Sequence, residues 1–447
     1  MLTTILYKNI SERSSLLYKN IIISFILKAW SAIVVLLMVP ITLRCLGEYK
    51  NGIWLTISSL LLWIDNMDIG LGNGLRNKIA EYMAHDEVKR ARKLLSSTFA
   101  LLSCIIIPTM LILAILILSC DTYQVFNASP SIVTDLDQAL IISIIMVCAS
   151  FVFKLIGNFY MGIQLPAISN LLIVISQTLT LIGIYIINWY GSHSLVHIAL
   201  VYTAPSLIVY IAAFPYTFYY KYPDLRPSVQ LVDFKEAKSI VNTGIKFFVM
   251  QLSSIVLFAT SNILISNFFS PSMVTPYQIT YRYFSILLVI FTVICTPFWN
   301  ATTDAYQRGD IEWIRQATKK LRVMTIGILL CTIIMVFLSD IVYVYWIGNI
   351  KIDIKMSIAM ASYIFILIYS MRYSYLINGI GTLRLQLIFT TFAAITFIPL
   401  AYYVTKLNHN IIWFMIVMCL VNVPGLIVNR IQFFKLINET ATGIWKK

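Results

Sequence analysis

The stretch LLSSTFALLSCIIIPTMLILAILILS, residues 94 to 119, decides the fold class of this chain. It contains no charged residue, and it is longer than the roughly 20 apolar residues that a helix needs to cross a bilayer. A soluble domain rarely carries such a run, because part of each surface helix must face water. The stretch therefore predicts a membrane-spanning helix.

The composition of the whole chain agrees with this interpretation. Its 447 residues are 59% hydrophobic and only 12% charged, with a mean hydropathy of +0.84. The formal net charge of +14 does not indicate a nucleic-acid partner, because the basic residues lie in short segments between apolar runs. A nucleic-acid-binding protein would collect them on one face of a soluble domain. We expect an integral membrane protein whose basic loops contact lipid headgroups.

About 12 apolar runs are long enough to span the membrane. Lipid offers no partner for open backbone polar groups, so these runs are expected to be helices and the fold to be all-α. The runs are residues 21–43, 53–71, 94–119, 138–160, 167–188, 195–219, 244–268, 276–298, 322–347, 356–378, 383–405 and 410–436.

The distribution of lysine and arginine predicts the orientation. With a cytoplasmic N-terminus, most basic residues fall in or beside the inward segments and few in the outward ones. This is the bias of the positive-inside rule. Both termini are therefore expected to be cytoplasmic.

Two pairs of segments indicate an internal repeat. YMGIQLPAISN (160–170) aligns with INGIGTLRLQL (377–387), and NKIAEYMAHDEVKRAR (77–92) aligns with NATTDAYQRGDIEWIR (300–315). Both pairs occupy the same topological place and share one membrane orientation, which predicts two parallel six-helix halves related by a pseudo-two-fold axis along the membrane normal. The predicted parts are residues 1–220, the cytoplasmic linker 221–243 and residues 244–447. The aligned residues include Gly162 with Gly379, Asn77 with Asn300, Glu81 with Asp304, Glu87 with Asp310 and Arg92 with Arg315.

Charged residues inside spans are the strongest functional signal, because each is costly in lipid and usually faces a cavity or a partner. Most of them are cations, so a central cavity lined by both halves would attract an anion. Each cation also has an alternative interpretation: its side chain reaches the headgroups, or it belongs to a buried ion pair. Lys28, for example, could pair with Asp65 or Asp68. The set is Lys28, Lys154, Arg282 and Arg372, with Asp65 and Asp68 in the second span.

The remaining residues argue against catalysis and bound cofactors. No outward loop is long enough for a catalytic domain, and the longest, about residues 120–137, contains no histidine or basic residue. The seven cysteines show no paired spacing, so neither a metal nor a disulfide is expected.

The stretch DIGLGNGLRNKIAEY, residues 68–82, resembles a phosphate-binding loop only superficially. Its glycines, Gly70, Gly72 and Gly74, follow a membrane span rather than a strand, and their spacing differs from that of nucleotide loops. We expect them to break the second span and let helices approach closely. Arg76 and Lys78 would then mark a cytoplasmic rim.

Two motifs carry a family resemblance that covers essentially the whole chain. D-x-G-L-G-N-G-L-R-N-K after the second span and N-G-I-G-x-x-R-L-Q, Asn378 to Gln386, resemble the Wzx-type oligosaccharide flippases of the multidrug/oligosaccharidyl-lipid/polysaccharide exporter superfamily. The resemblance implies movement of undecaprenyl-diphosphate-linked oligosaccharide across a bacterial inner membrane during O-antigen, capsule or exopolysaccharide assembly. It further implies alternating access and an association with a glycan polymerase and other proteins of that assembly.

The resemblance also assigns roles to the charged residues. Lys28, Arg282, Arg372 and Lys154 are expected to hold the diphosphate, and Arg44 to assist its release. Asp65 or Asp68 is expected to couple transport to protons or sodium. Three alternatives remain open: a MATE-like multidrug exporter, a lipid II flippase and, as an enzyme, a membrane-bound glycan polymerase or transferase. Acidic residues in the cavity would favour the multidrug exporter. Two further helices would favour the lipid II flippase, and a catalytic loop or a histidine cluster would favour the enzyme.

Overall fold

The computed structural model describes residues 10–65, 71–235, 256, 260–348 and 350–446. Every regular element in these ranges is helical. Ten of the described helices are long and apolar enough to cross a membrane, which confirms the expected all-α membrane fold. The first of the ten contains two predicted spans, and the seventh predicted span, 244–268, lies mostly outside the described residues.

Helix α1, Ile10–Asp65, joins the first two predicted spans across a kink at Gly47. Gly47 has φ 71° and ψ 172°, a conformation that is strained for a residue with a side chain. The single glycine therefore divides one continuous apolar helix into two spans.

The chain forms two compact units, of which the first combines residues 1–50 with 60–248. It contains one helix that the sequence analysis had placed in an inward loop: α2, which carries Gly72 and Gly74 in its first turns. Packing of α2 against its neighbours outweighs the cost of two glycines in a helix. The helices after α1 are α2 (Leu71–Ala84), α3 (Val88–Ser119), α4 (Thr122–Phe126), α5 (Leu136–Phe153), α6 (Leu155–Gly162), α7 (Pro166–Trp189) and α8 (Leu195–Pro215), followed by a π-helical turn, Tyr216–Lys221.

The second unit combines residues 51–59 with 249–447. Within it, α11 packs against α9 and α13. Residues 260–268 are helical, and the following helices are α9 (Pro271–Gln307), α10 (Ile311–Ile347), α11 (Ile354–Ile380), α12 (Arg384–Leu407) and α13 (Ile411–Ile437).

Buried amides attach residues 51–59 to the second unit. The Asn51 amide donates to the Thr275 hydroxyl at 3.1 Å, and the Asn262 amide donates to the Ser59 hydroxyl at 2.8 Å. Gln278 in turn donates to the Asn262 carbonyl oxygen at 2.7 Å. In an apolar environment such bonds also remove the cost of unpaired polar groups.

A close glycine contact holds α6 against α2 in the first unit. A Cβ atom on Gly162 would lie 3.0 Å from the Arg76 carbonyl oxygen and 3.0 Å from Ile79 Cβ. The absence of a side chain therefore allows the two helices to approach closely, as in other packed membrane helices.

The second unit repeats this contact with different residues. A Cβ atom on Gly379 would lie 2.8 Å from the Trp299 carbonyl oxygen and 2.8 Å from Thr302 Cβ. In the alignment that matches Asn77 with Asn300, Trp299 corresponds to Arg76 and Thr302 to Ile79, the two residues that Gly162 contacts. Both units thus make the same helix contact at aligned positions.

Two further positions match between the units. Gln164 and Gly381, each two residues after the close-packed glycine, have positive φ values of 63° and 91°. Glu87 and Asp310 each precede the first residue of a helix, α3 and α10 respectively. The internal repeat read from the sequence therefore corresponds to repeated local structure.

We predict that Gly379→Ala destabilises the protein, because its methyl group would collide with backbone and Cβ atoms that cannot move aside easily. The expected loss is about 1–3 kcal/mol, measured as a lower melting temperature in detergent. Gly327→Ala is the control, since a Cβ there meets nothing within 4 Å. Equal melting temperatures for the two variants would contradict the packing role.

The segment after the π-helical turn is fastened to the start of α3. The Ser228 amide donates to the Ser96 hydroxyl at 2.9 Å, and the Asp233 amide donates to the Ser97 hydroxyl at 2.8 Å. Lys93 pairs with the Asp233 carboxylate at 2.7 Å. This segment therefore lies along the first turns of α3.

The ion pair makes this attachment sensitive to pH. The hydrogen bond from Lys93 holds the pKa of Asp233 below its ordinary value, so the pair stabilises the attachment at neutral pH and is lost as pH falls through that lowered pKa. We expect Asp233→Asn to speed hydrogen exchange of the Ser228 amide at pH 7, and the difference from wild type to vanish in acid. Asp224→Asn should have no effect, and a difference that persists in acid would contradict the ion-pair role.

Candidate binding site

An ion pair joins α1 to the junction of α5 and α6. Lys154 Nζ lies 2.8 Å from Asp65 Oδ1 and 2.9 Å from Oδ2, and the two side chains are 31% and 29% exposed. The sequence left Lys28 open as a partner of Asp65 or Asp68. In the structure Asp65, the last residue of α1, pairs with Lys154 at the α5–α6 junction.

The pair lines a cavity of about 630 Å³ within the first unit, here called the N-terminal cavity. Its volume lies within the roughly 300–1,000 Å³ typical of small-molecule sites. The cavity combines an apolar wall with one charge pair and several neutral polar groups, so it is able to hold a polar or ionic ligand between membrane helices. Its polar lining residues are Asp65, Lys154, Asn158, Ser169, Ser176, Gln177, Thr180, Tyr202, Ser206 and Tyr210.

A second cavity of about 400 Å³ lies within the second unit, here called the C-terminal cavity. The described part of its lining contains no charged side chain but is rich in amides and hydroxyls. This cavity was not predicted from the sequence, although polar residues on one face of apolar helices were a signal for it. The polar lining residues are Tyr281, Tyr363, Ser370, Ser374, Tyr375, Asn378, Gln386, Thr390, Asn422 and Asn429.

The two cavities occupy corresponding places in the two units. In the alignment that matches Gly162 with Gly379, many lining residues of one cavity correspond to lining residues of the other. Lys154 of the N-terminal cavity corresponds to Met371, which lines the C-terminal cavity. The charge of the N-terminal cavity therefore has no counterpart at the aligned position. Other aligned lining pairs are Asn158 with Tyr375, Met161 with Asn378, Ser169 with Gln386 and Ile173 with Thr390.

Arg372 is buried rather than placed at the membrane surface. Its side chain is 4% exposed, and its guanidinium lies 4.9 Å from the ring centre of Tyr369 and 4.3 Å from that of Tyr373. It also donates to the Tyr373 hydroxyl, while its Nε finds no hydrogen-bond partner among the described residues. Aromatic faces thus stabilise this cation, and neither cavity includes it in its lining.

The other predicted cations are dispersed. Lys28 and Arg44 are exposed and Arg282 is half-buried, and none of the three lines either cavity. Of the predicted residues that the structure describes, Lys154 is the one cation that lines a cavity, and it does so together with Asp65.

The predicted cytoplasmic rim lies on α2. Arg76 is exposed, with Nη1 4.0 Å from the sulfur of Met161, and Lys78 pairs with Glu81 at 2.8 Å. Asp68 and Gly70 lie outside the described residues. Both rim cations are therefore placed on a helix surface, where they are accessible to headgroups.

We predict that Tyr373→Phe lowers stability, because it removes the acceptor for a buried guanidinium that already has one unpaired N–H. The expected cost is about 1–3 kcal/mol, read as a drop in melting temperature. Tyr345→Phe is the control, since Tyr345 is 87% exposed. Unchanged stability in Tyr373→Phe would show that the hydroxyl does not hold Arg372.

The comparisons with known proteins agree with this architecture. A family model described as "Polysaccharide biosynthesis protein" matches residues 17–298. A Salmonella typhi protein named "Putative O-antigen transporter" is 24% identical over 375 residues, covering 81% of this chain and 83% of the relative. A protein of the same name from Salmonella typhimurium is 23% identical, covering 72% and 73%.

Solved structures with the same fold are MATE transporters. An inward-facing multidrug resistance MATE family transporter of the MOP superfamily superposes with a TM-score of 0.72 at 14% identity, covering 94% of this chain and 96% of that one. A Vibrio cholerae MATE transporter gives a TM-score of 0.67 at 12% identity, covering 97% and 99%. Together with the family match, these structures confirm the superfamily that the sequence motifs indicated.

Proposed function

Because the chain belongs to the polysaccharide biosynthesis protein family, we propose that it moves a lipid-linked oligosaccharide across a bacterial inner membrane. The family and both relatives are of the transporter class, so the chain is a transporter and not an enzyme. The observation that carries the proposal is the Lys154–Asp65 pair lining a polar cavity between membrane helices.

The proposed cargo is an oligosaccharide on undecaprenyl diphosphate. Its diphosphate needs a cation, its sugars need hydrogen-bonding groups, and its lipid tail remains in the bilayer. Lys154 supplies a cation inside the N-terminal cavity, and the lining amides and hydroxyls there suit sugars. Lys28, Arg44, Arg282 and Arg372 line neither cavity, so Lys154 is the cation to which this proposal assigns the diphosphate there, and the four others stay predicted contacts of the cargo outside the cavities.

Exchange of ion partners is the proposed step at the N-terminal cavity. With no cargo, Asp65 neutralises Lys154. A diphosphate arriving at Lys154 replaces one anionic partner with another, which avoids leaving a buried cation unpaired. Protonation of Asp65 favours this exchange because it removes the competing charge, and deprotonation restores the ion pair and favours release. Asp65 would thereby couple transport to protons without any bound cofactor.

A multidrug exporter is the second candidate, because the solved structures with this fold include one. Its organic-cation cargo would need an unneutralised acidic residue. Among the described lining residues of the two cavities, Asp65 is the one acid, and it is paired with Lys154. The pair engages both charges equally, so the preference for a glycan cargo rests on the family match and on the two O-antigen transporter relatives.

We predict that Lys154→Met abolishes surface glycan in the host bacterium at unchanged membrane abundance, because the diphosphate loses its cation. The informative variant is the double substitution of Asp65→Asn and Lys154→Met, which removes both charges and so leaves no single charge without its partner. It should retain a near-native melting temperature and still fail to support surface glycan. Lys319→Met, an exposed residue on α10, is the control and should support glycan fully.

Normal surface glycan in the double variant would overturn the proposed role of the pair, because a purely structural ion pair can be replaced by two neutral groups of similar size.

A further inference from the structure

The C-terminal cavity differs from its counterpart in its chemistry. Its lining, as far as the described residues form it, has hydroxyls and amides but no charged side chain. An ionic ligand would lose hydration there without gaining a counter-charge, and a lipid chain would leave the polar groups unpaired. A neutral ligand rich in hydroxyl groups fits this lining.

Two lining residues carry buried acceptors that no described group pairs. Among the residues that the structure describes, Asn378 Oδ1 on α11 and Gln386 Oε1 on α12 accept no hydrogen bond. Buried polar atoms of this kind normally have a partner, and these two reach the same cavity from two helices. A hydroxyl both donates and accepts, so it satisfies an amide in either orientation of that group.

Other side chains of the cavity are already fixed in position. The Asn429 amide donates to the hydroxyls of Ser370 and Ser374, each at 3.0 Å. The ring of Tyr375 packs edge-on against Trp299 at 5.7 Å between centres. Bound polar groups and a held aromatic ring make a site that is formed before its ligand arrives.

We propose that the C-terminal cavity binds a neutral sugar residue of the transported glycan. This inference rests on the proposed function and adds a second recognition site to it. Each unit has a cavity at the same place of the repeat: the N-terminal cavity holds the Lys154–Asp65 pair, and the described lining of the C-terminal cavity is uncharged. The chemistry of the first suits a diphosphate, and that of the second suits a sugar.

The test uses two variants that change the cavity in different ways. Asn378→Leu removes a hydrogen-bonding group at similar volume. Gly425→Leu fills space, and the site has room for the change because a Cβ there would first meet Phe389 Cβ at 3.8 Å. Gly327→Leu, on the exposed surface of α10 where a Cβ meets nothing within 4 Å, is the control.

Binding is measured by native mass spectrometry of the purified full chain with two probes: undecaprenyl diphosphate without sugar, and the glycan-bearing carrier extracted from the host bacterium. Both cavity variants should bind the glycan-bearing carrier about tenfold or more weakly, because unpaired polar groups or lost space remove the sugar contacts. They should bind the bare carrier as wild type does. Gly327→Leu should match wild type with both probes.

Two results would overturn the inference alone: unchanged binding of the glycan-bearing carrier, or equal loss of both probes by variants that keep the wild-type melting temperature, since the cavity would then make no contact specific to the sugar. Failure of the wild-type chain to bind either probe would instead overturn the proposed function and this inference with it.

Discussion

A polar group in a lipid bilayer has to find its partner inside the protein, and this constraint governs the structure of the chain. It makes each apolar run a helix, since a helix pairs its own backbone groups. It also governs the side chains: Asp65 pairs with Lys154, and Arg372 lies against two tyrosine rings. Among the described residues, Asn378 and Gln386 are the lining residues of the C-terminal cavity that carry a buried oxygen without a partner.

The repeat explains how two different sites arise from one arrangement. Gly162 and Gly379 make the same close helix contact in their respective units, and aligned residues line a cavity beside each. The scaffold is thus retained in both units while the lining differs. Where one unit places Lys154, the other places Met371, and this difference leaves one cavity charged and the other neutral.

Much of the fold could be predicted from the sequence, because the length of an apolar run and the spacing of glycines depend on local chemistry. The repeat pairing of Gly162 with Gly379 is of this kind. The partner of Lys154 could not be predicted, because the depth at which α1 meets the α5–α6 junction depends on how whole helices pack. For the same reason the stacking of Arg372 on its own neighbours and the amide-lined cavity were missed, and α2 was taken for a loop.

The proposal as a whole depends on Lys154 binding the diphosphate while the protein moves the lipid-linked glycan across the membrane. The most direct measurement reconstitutes the purified chain in liposomes with the glycan-bearing carrier in one leaflet, and follows the appearance of glycan in the other leaflet with a membrane-impermeant sugar oxidant. We predict that the wild-type chain transfers the carrier faster than protein-free liposomes do, and that the folded Lys154→Met variant does not. Transfer by that variant at the wild-type rate, or no transfer by the wild-type chain, would contradict the account.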